Sequence, residues 1–232
     1  MITVQNLIKT YNGIAAADIE ALELHAGEVV GLVGNNGAGK TTFFRLLLDL
    51  IRTDKGAIFS KGMPVSSTEK WKNYTAAYID EGFLIDYLTP EEYFYFAGKL
   101  NNQSKADVDA VLLHYQDFFD DSILNKQKFI RDYSRGNQSK IGIVAALLCK
   151  PEFLILDEPF ANLDPSTKLR LLTMIKEMAA DKRMCIFISS HDINHVSEVC
   201  TRILLMEKGK IIKDIAGGDA AYGEMVEYFR VK

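Results

Sequence analysis

The 232-residue chain has only three cysteines, Cys149, Cys185 and Cys200, far apart and without a CxxC pair. A disulfide framework and a four-cysteine metal site are both excluded, and free thiols in apolar surroundings are expected. The chain also has no excess of basic charge. Its formal net charge is −4, so composition gives no electrostatic reason to expect a nucleic-acid partner. No apolar run approaches the ~18–20 residues that span a bilayer. The start, MITVQNLIKTYNG, has no basic stretch followed by an apolar one, so no secretory leader is expected. A cytoplasmic protein is expected, with any membrane-spanning part supplied by another chain. No internal repeat or low-complexity segment is visible.

What is present is a chain with 48% hydrophobic and 25% charged residues, enough for a substantial core. Three nearly all-apolar runs, EVVGLVG (28–34), FLILDE (153–158) and MCIFISS (184–190), suit parallel strands covered on both faces. TVQNLI (3–8), ALELHAG (21–27) and AIFSKG (57–62) alternate more, as half-exposed antiparallel strands do. TAAYID (75–80) and RILLMEKGKIIKDI (202–215) complete the set, the second with a hairpin turn at 208–210.

Helices are expected from Gly39 through TTFFRLLLDL and from the capping box Thr89-Pro90-Glu91-Glu92. Another is expected from Ser104, with Val108, Val111, Leu112, Tyr115 and Phe119 on one face. A last one follows Pro165, with Leu169, Leu172 and Met174 or Ile175 inward. Strand–helix alternation implies an α/β fold. Residues 85–150 interrupt that alternation and read as an inserted helical lobe.

Two motifs carry chemistry. GNNGAGKTT (34–42) contains G-x-x-x-x-G-K-T between an apolar strand and a helix, the context of a phosphate-binding loop. Its glycines let successive N–H groups turn inward, and the following helix adds its positive end. Gly34, Asn35, Asn36, Gly37, Ala38, Gly39, Lys40, Thr41 and Thr42 are therefore candidate nucleotide-binding residues. Lys40 would reach the β- and γ-phosphates, and the Thr41 hydroxyl would face Mg²⁺. FLILDEP (153–159) ends a buried strand in two acids. Asp157 is placed to hold Mg²⁺ and Glu158 to polarise an attacking water.

His191 and His195 stand four apart in HDINH. A zinc-protease helix would have glutamate second, and here aspartate stands there with no third ligand evident. His191 instead ends a core strand, where it would sit beside the γ-phosphate, and His195 reads as a helix-surface histidine. The remaining motif, DYSRGNQSK (132–140), precedes the apolar run IGIVAALLC and is equally a serine-capped helix start.

The order of these motifs resembles the nucleotide-binding subunit of an ABC transporter over essentially the whole chain. The resemblance implies a P-loop NTPase core with a mainly parallel sheet, an N-terminal antiparallel β subdomain and an inserted α-helical subdomain. Residues 1–84 and 151–232 would form the core and 85–150 the helical subdomain. Ser134, Arg135, Gly136 and Asn137 stand where the family has LSGGQ, the signature that closes on the γ-phosphate of a second subunit. Arg135 replaces a glycine and Asn137 the glutamine. By the same resemblance Tyr11 would stack on adenine, and Asn162 and Asp164 would form the D-loop touching the opposite site. His191 would be the switch histidine. Glu81 would take the place of the family's metal-contacting glutamine. The implied cofactors are ATP and Mg²⁺, and the implied partners are a second ATPase subunit and an integral membrane permease, with no nucleic acid. The implied place is the cytoplasmic face of the cell membrane. The chain would then power transport of an unknown substrate, in the manner of an exporter-type ATPase. A soluble or regulatory ATPase of the same superfamily is the alternative. Among the consecutive aromatics Tyr93, Phe94, Tyr95 and Phe96, some would line a groove for a permease helix.

Overall fold

A computed structural model describes residues 1–218, Gly223, Glu227 and Tyr228, except for the side chain of Glu81. Two sheets organise it. The first is antiparallel, in the order β2-β1-β4-β5, from β1 (Ile2–Tyr11), β2 (Ile14–Leu24), β4 (Lys55–Ser60) and β5 (Met63–Pro64). The β1–β2 turn is Asn12-Gly13, both at positive φ (51° and 80°), which matches the right-handed twist of the paired strands. That Asn-Gly pair marks a hairpin starting seven residues before the strand expected at 21–27.

The second sheet runs β10-β9-β3-β8-β7-β6, comprising β3 (Val29–Val33), β6 (Thr75–Tyr78), β7 (Phe153–Leu156), β8 (Cys185–Ser190), β9 (Arg202–Glu207) and β10 (Lys210–Ala216). Its strands are parallel except for β10, which folds back on β9. Side chains alternate across the sheet, and the central strands β3, β7 and β8 are buried on both faces. Val30, Leu32, Ile155 and Phe187 join the antiparallel sheet and helix α1 (Lys40–Leu47) in one core. Val29, Val33, Leu154, Leu156 and Ile188 join the other helices in a second core. Phe187 receives the rings of Phe43 and Phe44 edge-on, at centroid distances of 6.1 and 4.9 Å.

Residues 85–150 carry α2 (Pro90–Leu100), α3 (Lys105–His114), α4 (Gln116–Phe119) and α5 (Arg135–Leu148), and no strand. Thr89 and Ser104 each form a complete capping box, with Glu92 and Asp107. The helix expected to continue through Phe119 stops at His114. Phe119 is nevertheless buried, because the one-turn α4 re-aims it into the lobe's core.

Between residues 151 and 218 the described chain adds two α-helices, α6 (Pro165–Ala179) and α7 (Ile193–Val199). On α6, Leu172, Met174 and Ile175 are inward as expected, but Leu169 is 64% exposed. The buried stripe runs through Leu171, Leu172 and Ile175, and Leu169 lies off it. Cys185 and Cys200 are buried free thiols and Cys149 is half-buried. Among the described residues no helix is long and apolar enough to cross a membrane.

Candidate nucleotide site

The phosphate loop leaves β3 at Val33 and enters α1 at Lys40. Gly37 and Gly39 take positive φ, 81° and 109°, which turns the backbone into a concave nest. Gly39 has a second constraint, because a Cβ there would stand 2.2 Å from the carbonyl oxygen of Ala16. Lys40 is nearly buried. Its ammonium donates to the Gly34 carbonyl at 2.7 Å and lies 3.1 Å from Glu158 Oε1. A cavity of about 240 Å³ opens here, lined by Ala16, Asn36, Gly37, Lys40, Thr41 and Glu158 among others.

The acids come from the end of β7. Asp157 is 3% exposed, and burial raises its pKa above the ordinary carboxylate value. Hydrogen bonds from Ser189 and Thr41 oppose the rise. Glu158 sits at φ 48°, a left-handed conformation uncommon for glutamate and typical of sites where backbone strain serves function. Ser189 on β8 stabilises this turn. Its hydroxyl accepts from Glu158 N at 2.8 Å and donates to Asp157. Ser189 belongs to none of the motifs above, although the polar Ser189-Ser190 pair that ends an apolar strand is its signal in the sequence.

His191 follows directly. Its Nδ1 lies 2.8 Å from Glu158 Oε2, and its backbone N–H donates to the same oxygen at 3.2 Å. Glu158 is therefore held on both oxygens, by Lys40 on one side and His191 on the other. His195 has a different role. It is half-buried and its ring stacks on Phe160, 4.8 Å away and 16° from parallel, so it is not the surface histidine expected.

Ser134, Arg135, Gly136, Asn162 and Asp164 form a second group. Ser134 caps α5 by accepting from Asn137 N at 3.3 Å, and Arg135 beside it is exposed. Gly136 fits closely against its own chain, since a Cβ would meet the Asn162 carbonyl oxygen at 2.5 Å. Asn162 has φ 60°. Asp164 caps α6, accepting from Ser166 Oγ and Thr167 Oγ1 at 2.6 Å and from Thr167 N at 3.0 Å. These hydrogen bonds, Ser166's foremost, hold its carboxyl far below the usual range.

Tyr11 ends β1, is 49% exposed and does not line the cavity; the Lys9 ammonium stands 5.4 Å from its ring centroid. Glu81 opens a 3₁₀ turn (Glu81–Phe83) after β6, and its side chain lies outside the described residues.

The donor set suits Mg²⁺. A threonine hydroxyl and a buried carboxylate already in mutual contact offer hard oxygen ligands beside the phosphate nest, as that cation prefers.

A family model described as "ABC transporter" matches residues 18–161. The ATP-binding protein YhaQ of Bacillus subtilis (strain 168) is 33% identical over 210 residues, covering 90% of this chain and 69% of the relative. The bacitracin transport ATP-binding protein BcrA of Enterococcus faecalis is 30% identical over 228 residues, covering 93% and 69%. Among solved structures, an ATP-binding subunit of an ABC transporter superposes with a TM-score of 0.83 at 27% identity, over 93% of this chain and 90% of that one. The ATP-binding cassette MJ0796, in a dimeric post-hydrolysis state with ADP and Pi, gives 0.83 at 20% identity over 93% and 98%, a likeness of fold. With this phosphate nest, this acid pair and these relatives, the chain belongs to the ABC transporter family and is an ATP-binding, ATP-hydrolysing subunit of it.

Proposed function

We propose that two copies of this chain, or this chain and a similar subunit, clamp two ATP molecules between them and drive a separate membrane permease. Residues 1–84 and 151–232 act as the catalytic core and 85–150 as the helical subdomain. The observation that carries this reading is the convergence of Lys40, Thr41, Asp157, Glu158 and His191 at the ends of β3, β7 and β8, where ligands bind in open α/β sheets.

ATP lies with its phosphates in the nest from Gly34 to Thr42, and Lys40 leaves Glu158 to meet the β- and γ-phosphates. Thr41 and Asp157, with Glu81, hold Mg²⁺ in this reading. When bound it neutralises charge on the phosphates and the departing oxygen. Glu158, released from Lys40, accepts the proton of the attacking water while His191 fixes its other oxygen. Tyr11 stacks on the adenine. Ser134, Arg135, Gly136 and Asn137 close on the partner's γ-phosphate, and Asn162 and Asp164 touch the partner's site. The likeness to the dimeric cassette supports this two-subunit form.

The permease docks in an apolar cavity of about 250 Å³ lined by Trp71, Tyr78, Phe83, Leu84 and Tyr93 among others. Of the four consecutive aromatics only Tyr93 reaches it. Phe94 fills the lobe's core, Tyr95 bonds Asp109, and Phe96 is exposed. The transport activity in BcrA's name supports a transport role, which we read as exporter-type and on the cytoplasmic face.

The test is the solution mass of the Glu158→Gln variant with and without ATP·Mg²⁺. Slowed hydrolysis traps the closed form, so a dimer formed only with ATP is expected. A monomer with nucleotide bound, both alone and with its permease, would defeat the two-subunit reading.

A further inference from the structure

The helix that opens with Ser134 is apolar and buried through most of its length. From Ser139 to Leu148 every residue is buried, and a single charged side chain stands in that run, Lys140. Its Nζ lies 3.0 Å from Asp120 Oδ2. Asp120 ends α4 in a left-handed turn, φ 52°, which aims its carboxylate back at α5. The other oxygen of Asp120 pairs with Arg170 of α6, and Arg170 also donates to the Asp117 carbonyl. One carboxylate of the helical lobe therefore joins the signature helix to a helix of the core.

The same two helices meet again at their N-termini. Gly136, four residues before Lys140, abuts the Asn162 carbonyl, and Asp164 caps α6 close enough to Lys140 for their charges to interact. Lys140 pairs with Asp120 and Asp120 with Arg170, the backbone of α6 runs from Arg170 back to Asp164 and Asn162, and Asn162 abuts Gly136. Contacts and helices together thus close a ring around the α5–α6 junction. An ammonium this dehydrated is costly for stability alone, and an apolar side chain of similar volume often does as well. Its value here is geometric, because the ring fixes where Ser134 stands relative to Asp164.

We propose that Lys140 is a positioning residue for the ATPase reaction: by gripping Asp120 between α5 and α6 it holds the signature loop and the loop Asn162–Asp164 in one fixed relation. Its effect on hydrolysis rests on the reading that both loops face a second subunit. Its effect on loop position does not.

The experiment compares the full chain with Lys140→Met and Lys140→Arg. Methionine keeps the volume and leaves Asp120 paired with Arg170, so the fold is retained, as the melting curve checks. Amide hydrogen exchange is followed without nucleotide. In Lys140→Met, exchange should quicken about tenfold in peptides covering 133–138 and 159–165 and stay unchanged in 34–42, as for a local opening. Lys140→Arg should restore the parent pattern. With the permease present, the methionine variant should lose about tenfold in kcat with KM for ATP unchanged. Unchanged exchange in both loops, or a rise spread evenly over all peptides, overturns the proposal. Quickened loops with full kcat would uphold the positioning role and count instead against the two-subunit reading.

Discussion

Asp157 and Glu158 are adjacent and chemically similar, yet the fold gives them opposite circumstances. Asp157 is enclosed, and its pKa is raised chiefly by burial. A carboxyl whose folded pKa lies above its unfolded value costs stability once the pH rises through the folded value, because the folded state then holds a dehydrated charge. Asp157→Asn should therefore raise the melting temperature at neutral pH while abolishing Mg²⁺-dependent hydrolysis. Calorimetry and a phosphate-release assay read the two effects, and a lowered melting temperature would contradict the burial argument. Glu158 is restrained by Lys40 and His191 instead. Glu158→Gln should slow hydrolysis on the order of 10²–10⁴-fold, as loss of a general base does, with nucleotide affinity retained.

At the scale of elements, α5 shows how close packing sets the position of a functional loop. Gly142 lies against β6, and a Cβ there would meet the Tyr78 ring at 2.5 Å. Tyr78 in turn bonds Ser139 at 2.8 Å. Gly142→Ala should cost about 1–3 kcal/mol, the usual penalty for overpacking a filled core. Urea unfolding would show it as a lower midpoint at unchanged slope. At the start of α6, the cap residue Asp164 has its folded pKa depressed by Ser166 and Thr167. Its contribution is therefore complete above the unfolded value of about 3.9 and declines as pH falls below it. Between pH 5 and 2, as test conditions chosen around that value, Asp164→Asn should lose less of its urea midpoint than the parent. Equal losses would mean the cap does not titrate.

At the scale of the molecule, the groups of the site hold one another: Lys40 contacts Gly34 and Glu158, and Glu158 contacts His191. Nucleotide must replace these contacts, so its binding should be read in global stability. ATP at a hundredfold excess over its Kd should stabilise the parent by about 2.7 kcal/mol, a mass-action consequence of binding the folded state alone. Lys40→Ala should lose most of that thermal shift. A full shift in the variant would show that the lysine contributes little to binding.

The sequence by itself determined the nucleotide loop, the acid pair and the α/β class, because each is local. Glycine spacing, a basic residue at a helix start and an apolar run ending in acids are physical requirements met within ten residues. The inserted helices were equally legible from their capping boxes. Tertiary structure decided what depends on neighbours distant in the chain. Ser189 became the bridge between Asp157 and Glu158 only because β8 pairs with β7. Leu169 faced outward because the buried stripe of α6 was set by its packing partners. Gly136 packs against its own chain's Asn162, leaving little room for a Cβ, and Lys140 found Asp120 across a helix boundary that no periodicity announced. Short-range stereochemistry is written in order along the chain, whereas a buried charge acquires its meaning from whichever opposite charge the fold brings to it.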